Sequence, residues 1–277
     1  MRKFSPLFAA LILTLLAACI SCAALHCPPR RVISKPYGIF IGLNPAHVDQ
    51  LAPYQTVVIE PSAFSAAQIR ALHDAGKTVY GYLNIGAIEK SRPYYARFAA
   101  LTLAPYENWD DERWINVAAP VWQAFVVNEL GAQYAALGLD GFFLDNSDVY
   151  ALYPREDMFK GLCAILRGLK QYQLPCILNG GDVFVDACMD RGIADNLFDG
   201  INQESVFTRI DFENNRYTAQ DSETRRYFQD YLKRAAAAKL KVYLLEYRAS
   251  PELSSEIDAY CRQNGFAWYN AANKDLQ

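Results

Sequence analysis

The chain has 277 residues, with 27 Lys and Arg against 30 Asp and Glu, a formal net charge of −3, and 52% apolar and 21% charged residues. That apolar share excludes a disordered chain, which lacks the buried surface to offset ordering entropy. The slight acid excess argues against a nucleic-acid binder, which meets phosphates with a basic surplus, so no nucleic-acid partner is expected.

The first residues read as an export signal. Arg2 and Lys3 give a positive start, and 7–20 is an apolar run broken only by Thr14. Such a run is shorter than the about 20 residues a membrane span takes. It ends in Leu16-Ala17-Ala18-Cys19, which is similar to a bacterial lipobox, where the Cys becomes the lipidated first residue. A signal peptide is expected over 1–18 and a lipid-anchored tether over 19–35, which places the protein in the bacterial cell envelope. Ordinary cleavage near Ala23 or Ala24, giving a soluble secreted protein, is the alternative. The group Cys19, Cys22, His26 and Cys27 has the look of zinc ligands. It straddles the processing site, however, so no metal and no cofactor is expected.

From 36 onward, apolar runs alternate with amphipathic segments. Strands are expected at 37–42, 56–60, 78–85, 141–146, 175–180, 200–207, 241–248 and 266–271. Helices are expected at 65–75, from Pro120 to about 137, and at 155–172, 182–191, 222–240 and 251–264. The stretch 87–119 is the least regular, with one short strand over 114–117. Cys163, Cys176, Cys188 and Cys261 fall inside apolar patterns and read as small buried hydrophobes; disulfide pairing is the alternative for an exported protein. Sustained β-α alternation implies a parallel sheet covered by helices. Eight units, with no glycine-rich phosphate loop after the first strand, favour a closed barrel. The expected fold is α/β, a single (β/α)8 TIM barrel over 36–277, close to the roughly 250 residues typical of that fold.

Active sites of such barrels lie at the carboxyl ends of the strands. The polar residues there are Glu60, Asn84, Glu89, Asp145, Asp148, Asn179, Glu204, Glu246 and Asn270. No Ser-His-Asp set accompanies them. A carboxylate-rich, aromatic-rich barrel end suits glycoside hydrolysis, which uses one carboxyl as acid and another as base or nucleophile. Asp145 ends the buried run GFFLD, and Glu204 lies within 201–207; an idle carboxylate in either place is costly. Blander readings exist for the others. Asp148 suits a turn cap, Glu246 an ion pair with Arg248, Glu60 the orientation of neighbours, Glu89 a solvated loop, and the aromatics of 94–114 packing under a loop.

Glu60-Pro61, GYLNIG over 81–86, WDDERWINV over 109–117 and above all GLDGFFLDNSD over 138–148 resemble the endo-α-1,4-polygalactosaminidase family, glycoside hydrolase family 114. The resemblance covers about 36–272. It implies a (β/α)8 barrel of secreted enzymes that cut galactosamine-containing polysaccharide. It also implies a catalytic Asp ending the fourth strand and a Glu on the sixth, here Asp145 and Glu204. Members often carry Glu directly after the GYxNIG strand, where this chain has Ala87, a departure that bears on specificity. The function expected is endo-hydrolysis of an α-1,4-linked galactosamine-containing exopolysaccharide, with Glu204 as acid and Asp145 as nucleophile or base. Glu60, Tyr82, Asn84, Asp148, Asn179, Glu246 and Tyr247 are expected to contact that amino-sugar polysaccharide. The rival expectations are a non-catalytic carbohydrate-binding or polysaccharide-export accessory lipoprotein, and a hydrolase of a different amino-sugar glycan.

Overall fold

The computed structural model describes residues 34–277. The signal, the tether and Cys19 lie outside the described residues. Eight strands form one sheet: β1 (Lys35–Phe40), β2 (Tyr54–Ile59), β3 (Thr78–Asn84), β4 (Gly141–Asp145), β5 (Cys176–Asn179), β6 (Gly200–Glu204), β7 (Lys241–Tyr247) and β8 (Ala267–Ala271). They pair in chain order, each in parallel with the next. β8 returns to β1 through a ring contact, with the Phe40 centroid 5.2 Å from that of Tyr269. This is the expected (β/α)8 barrel. Most strand residues are apolar and buried on both sides, as a sheet sandwiched by helices requires; Val57, Val58 and Ile59 of β2 are fully buried.

The helices also follow the sequence. Ser65 opens Ala66–Asp74 with a reciprocal capping box to Gln68. Gly138, at φ 89°, closes the helical run that Pro120 opens. That run contains a π-helical stretch, Val126–Gly131, which the sequence pattern does not announce. Cys163, Cys176, Cys188 and Cys261 are buried free thiols, as the apolar reading has it.

Two excursions depart from expectation. Between β3 and the Pro120 helix, Ala87–Glu89, Thr102–Pro105 and Glu112–Ile115 make a small antiparallel sheet. After β6 the chain does not run on as strand to 207. It turns at Ser205, φ 57°, and then forms a hairpin of Thr208–Asp211 with Arg216–Ala219. Both excursions project from the carboxyl ends of the strands and supply walls to the cleft there.

Candidate active site

The cleft at that end holds about 1230 Å³. Its floor follows strand parity: Ile39 of β1, Tyr82 of β3, Phe143 and Asp145 of β4, Asn179 of β5, Glu204 of β6, and Leu245 and Tyr247 of β7 all line it. One side-chain network joins all six of these strands. Tyr37 donates to Asn202 Oδ1 at 3.1 Å, and Asn202 Nδ2 donates to Asn179 Oδ1 at 2.7 Å. This fixes the Asn179 amide with its nitrogen turned to the carboxylates. Asn179 Nδ2 then donates to both Asp145 Oδ1, at 2.9 Å, and Glu204 Oε1, at 2.7 Å. Tyr82 donates to Asp145 Oδ2 at 2.9 Å, and Tyr247 to Glu204 Oε2 at 2.5 Å. The backbone N–H of Asn146 adds a third donor to Asp145.

Burial dominates the electrostatics here. It pushes Asp145 up to about 7, helped by the charge of Glu204 and opposed by Asn179 and Tyr82. Glu204 is likewise raised by burial, against the donors Tyr247 and Asn179. Asp148 is raised to about 6 by burial, although the Gly181 N–H holds its carboxylate at 3.0 Å. Two carboxyls so close favour a state in which they hold one proton between them.

Local backbone geometry presents these side chains. Asn146, Ser205 and Arg248 have φ of 68°, 57° and 50°, and each directly follows a member of the network: Asp145, Glu204 and Tyr247. Non-glycine residues in that region store strain, which concentrates at functional sites. Two glycines answer close approach instead. A side chain on Gly86 would meet Asn146 O at 1.7 Å, and one on Gly181 would meet Ser147 Oγ at 1.8 Å.

The structure gathers Asp145, Glu204, Tyr82, Asp148, Asn179 and Tyr247 around one cleft. The other three expected substrate contacts, Glu246, Glu60 and Asn84, have protein partners instead of lining it. Glu246 is fully buried, and its carboxylate accepts from the N–H groups of Val206, Phe207 and Thr208 and from Thr208 Oγ1 at 2.6 to 3.0 Å. It holds the turn after β6, and among the described residues it pairs with no arginine. Its neighbour Tyr247 has the inward parity, so Glu246 points out of the barrel. Glu60 accepts from Ser62 and binds Arg92 at 2.9 Å; Arg92 also holds Glu89 at 2.8 Å. Asn84 is buried behind the cleft, accepting from Ala87 N and donating to Glu112.

Glu112 is a cleft residue that sequence position does not single out. Burial, with the charges of Glu89 and Asp145, raises it to about 8. Asn146 and Asn84 donate to its Oε2 at 3.4 and 3.3 Å. The run WDDER looks solvated, and only pairing of Glu112–Ile115 with Ala87–Glu89 brings this acid over the barrel. Asn202 and Tyr37 were likewise hidden, because a polar atom inside a buried strand carries no sign of which partner it meets.

The chain matches the profile of glycoside-hydrolase family GH114 over residues 37–277. No curated protein sequence matches it significantly. Among solved structures it is similar to the glycoside hydrolase domain of PelA from Pseudomonas aeruginosa, with TM-score 0.71, 20% identity, and 88% of this chain and 95% of that one covered. It is similar to Aspergillus fumigatus Ega3, solved with galactosamine, at TM-score 0.64 and 15% identity over 91% of this chain and 96% of that one. Thermus thermophilus α-galactosidase TtGalA aligns at TM-score 0.55 and 13% identity, covering 87% of this chain and 59% of that one. At these identities the structural likenesses show the barrel. The family match spans that barrel from β1 to the last residue, Asp145 and Glu204 included, and it establishes that the chain is a glycoside hydrolase of family GH114.

Proposed function

We propose that this hydrolase cleaves within an α-1,4-linked galactosamine-containing polysaccharide, with Asp145 as nucleophile and Glu204 as acid and then base. The observation that carries the chemistry is the shared Asn179 nitrogen. Lengths of 2.9 and 2.7 Å to a forked amide put the two bonded oxygens about 5 Å apart. That matches the about 5–5.5 Å of retaining enzymes, and leaves no room for the water an inverting pair brackets. Asp145 accepts three hydrogen bonds and Glu204 two. Donors favour the ionised form, so Asp145 is the better-held anion.

In the first step an Asp145 oxygen bonds to the anomeric carbon, the glycosidic C–O bond breaks, and the leaving oxygen takes the Glu204 proton. In the second, Glu204 takes a proton from water, whose oxygen displaces Asp145. Tyr82 and Asn179 hold the nucleophile in line, and Tyr247 holds the Glu204 carboxylate between the steps.

The amino-sugar assignment is supported by the family, by the Ega3 relative solved with galactosamine, and by acids lining the cleft. The place of action proposed is the cell envelope, with Cys19 as the lipid-bearing residue. Labelled palmitate incorporated by the full chain and lost in Cys19→Ser supports that anchor; equal labelling of both rules it out. For the activity, the purified barrel is offered partly deacetylated α-1,4-galactosaminoglycan and, separately, glucosamine polymers. Release of galactosamine oligomers with initially α-configured ends is expected. Preferential cleavage of the glucosamine polymers overturns the substrate, and initial β-ends overturn the two-step mechanism.

A further inference from the structure

Three segments distant in sequence meet at the mouth of the cleft. Trp109 belongs to the excursion after β3, Phe212 to the hairpin after β6, and Lys274 to the residues after β8; all three line the cleft. Lys274 Nζ lies 4.4 Å from the centre of the Trp109 ring and 6.0 Å from that of Phe212. The two rings meet edge to face at 6.5 Å. Six carboxylate side chains line this cleft against two cations, Arg209 and Lys274, yet among the described residues Lys274 forms no ion pair. Its ammonium rests on indole instead.

Trp109 also differs from the other three tryptophans. Trp114 stacks on Tyr106 at 4.2 Å, Trp122 donates to Ile85 O, and Trp268 donates to Asp258. The Trp109 N–H has no partner among the described residues, and its turn is held by Asn108 at φ 66°. A half-exposed indole, with a second ring beside it in an acidic cleft, has the chemistry to take a protonated amino sugar. The ring face attracts the ammonium, and the apolar area accepts the sugar C–H surface.

We propose that Trp109 and Phe212 form a subsite for a hexosaminyl unit carrying a free ammonium, and that Lys274 occupies this subsite in the empty enzyme as an internal stand-in for that ammonium. The inference rests on the amino-sugar reading and sharpens it. Substrate binding exchanges one ammonium for another on the same ring, and the released lysine passes to solvent. An N-acetylated unit carries no charge and cannot make this exchange. The device therefore sets the enzyme's response to the acetylation of its polymer.

The test is a double-mutant cycle read as a ratio, kcat/KM on deacetylated over N-acetylated galactosaminoglycan. Lys274→Ala should raise the ratio at least threefold by vacating the ring. Trp109→Ala should lower it at least threefold, and adding Lys274→Ala to Trp109→Ala should then change nothing. A gain from Lys274→Ala that persists without Trp109 means simple charge repulsion, and overturns the proposal; so does a fall in the ratio. A wild-type enzyme that cuts neither polymer counts against the substrate reading, not the subsite. The subsite is then decided without turnover, by titrating Asp145→Asn protein with deacetylated galactosamine oligomers and following tryptophan fluorescence. A change that disappears in Trp109→Ala supports it, and a response unaltered by that substitution overturns it.

Discussion

Asp145 and Glu204 are held by one nitrogen, Asn179 Nδ2, which donates one hydrogen to each carboxylate. A side-chain amide is the group that can do this, because it carries two donors on a single atom while its oxygen is anchored elsewhere, here by Asn202. Removing the amide leaves two buried carboxyls facing each other without a mediator. Asn179→Ala should cut kcat by about 100-fold, in the range for losing one preorganised donor, with a smaller change in KM. Asn179→Asp should be worse, since it places a third carboxyl between the pair. An Asn179→Ala enzyme within threefold of wild type would show that the pair needs no bridge.

The pair's shared proton sets a pH window. Asp145 is held up to about 7 in the presence of the Glu204 charge, so the second proton of the pair leaves near that pH. Activity should fall as pH rises through about 7 and should also fall toward acid, once both carboxyls are protonated. A bell-shaped kcat/KM profile is expected, its two limbs belonging to the pair and not to either residue. A profile flat from pH 5 to 9 contradicts this.

The same shift destabilises the folded protein. With Asp145 raised to about 7 from an ordinary 3.8, the folded pair holds its shared proton more tightly than the unfolded chain does. The associated stability is complete below about pH 4 and is lost as pH rises through 7. Asp145→Asn removes that penalty. It should abolish hydrolysis yet raise stability at pH 8 by about 1–3 kcal/mol, a figure reduced for the water that reaches the cleft. At pH 4 the gain should vanish. Thermal melts at the two pH values measure it, and an equal gain at both defeats the linkage.

Glu246 should behave in the opposite way. Its removal orphans the buried N–H groups of Val206, Phe207 and Thr208, each costing about 1–3 kcal/mol. Glu246→Ala should therefore lower the melting temperature by 10 °C or more. If Glu246 instead touched substrate, the change would raise KM with little loss of stability.

The barrel was legible because its strands are continuous apolar runs and its helices carry caps and amphipathic faces. The excursions were not, because their strands are short and partly exposed, and only tertiary pairing makes them strands; Arg216–Ala219 is mostly open to solvent. The site divided along the same line. Asp145 and Glu204 stood out as carboxylates ending buried runs, and Asn179, Tyr82 and Tyr247 share their face. Glu246 gave the same signal from the opposite parity, one residue away from the face that matters. Glu112 gave none, because its depth is a property of the sheet it joins.

The left-handed residues 146, 205 and 248 carry one more consequence. In a saturation library, positions as open as 205 and 248 ordinarily accept nearly any replacement. These three should accept glycine, asparagine and aspartate and reject valine, isoleucine and threonine, whose branched carbons collide with the backbone at positive φ. A tolerance map made without any substrate, scored for folding alone, would then show three narrow positions one step beyond Asp145, Glu204 and Tyr247. The outline of the catalytic end would be drawn by the main chain.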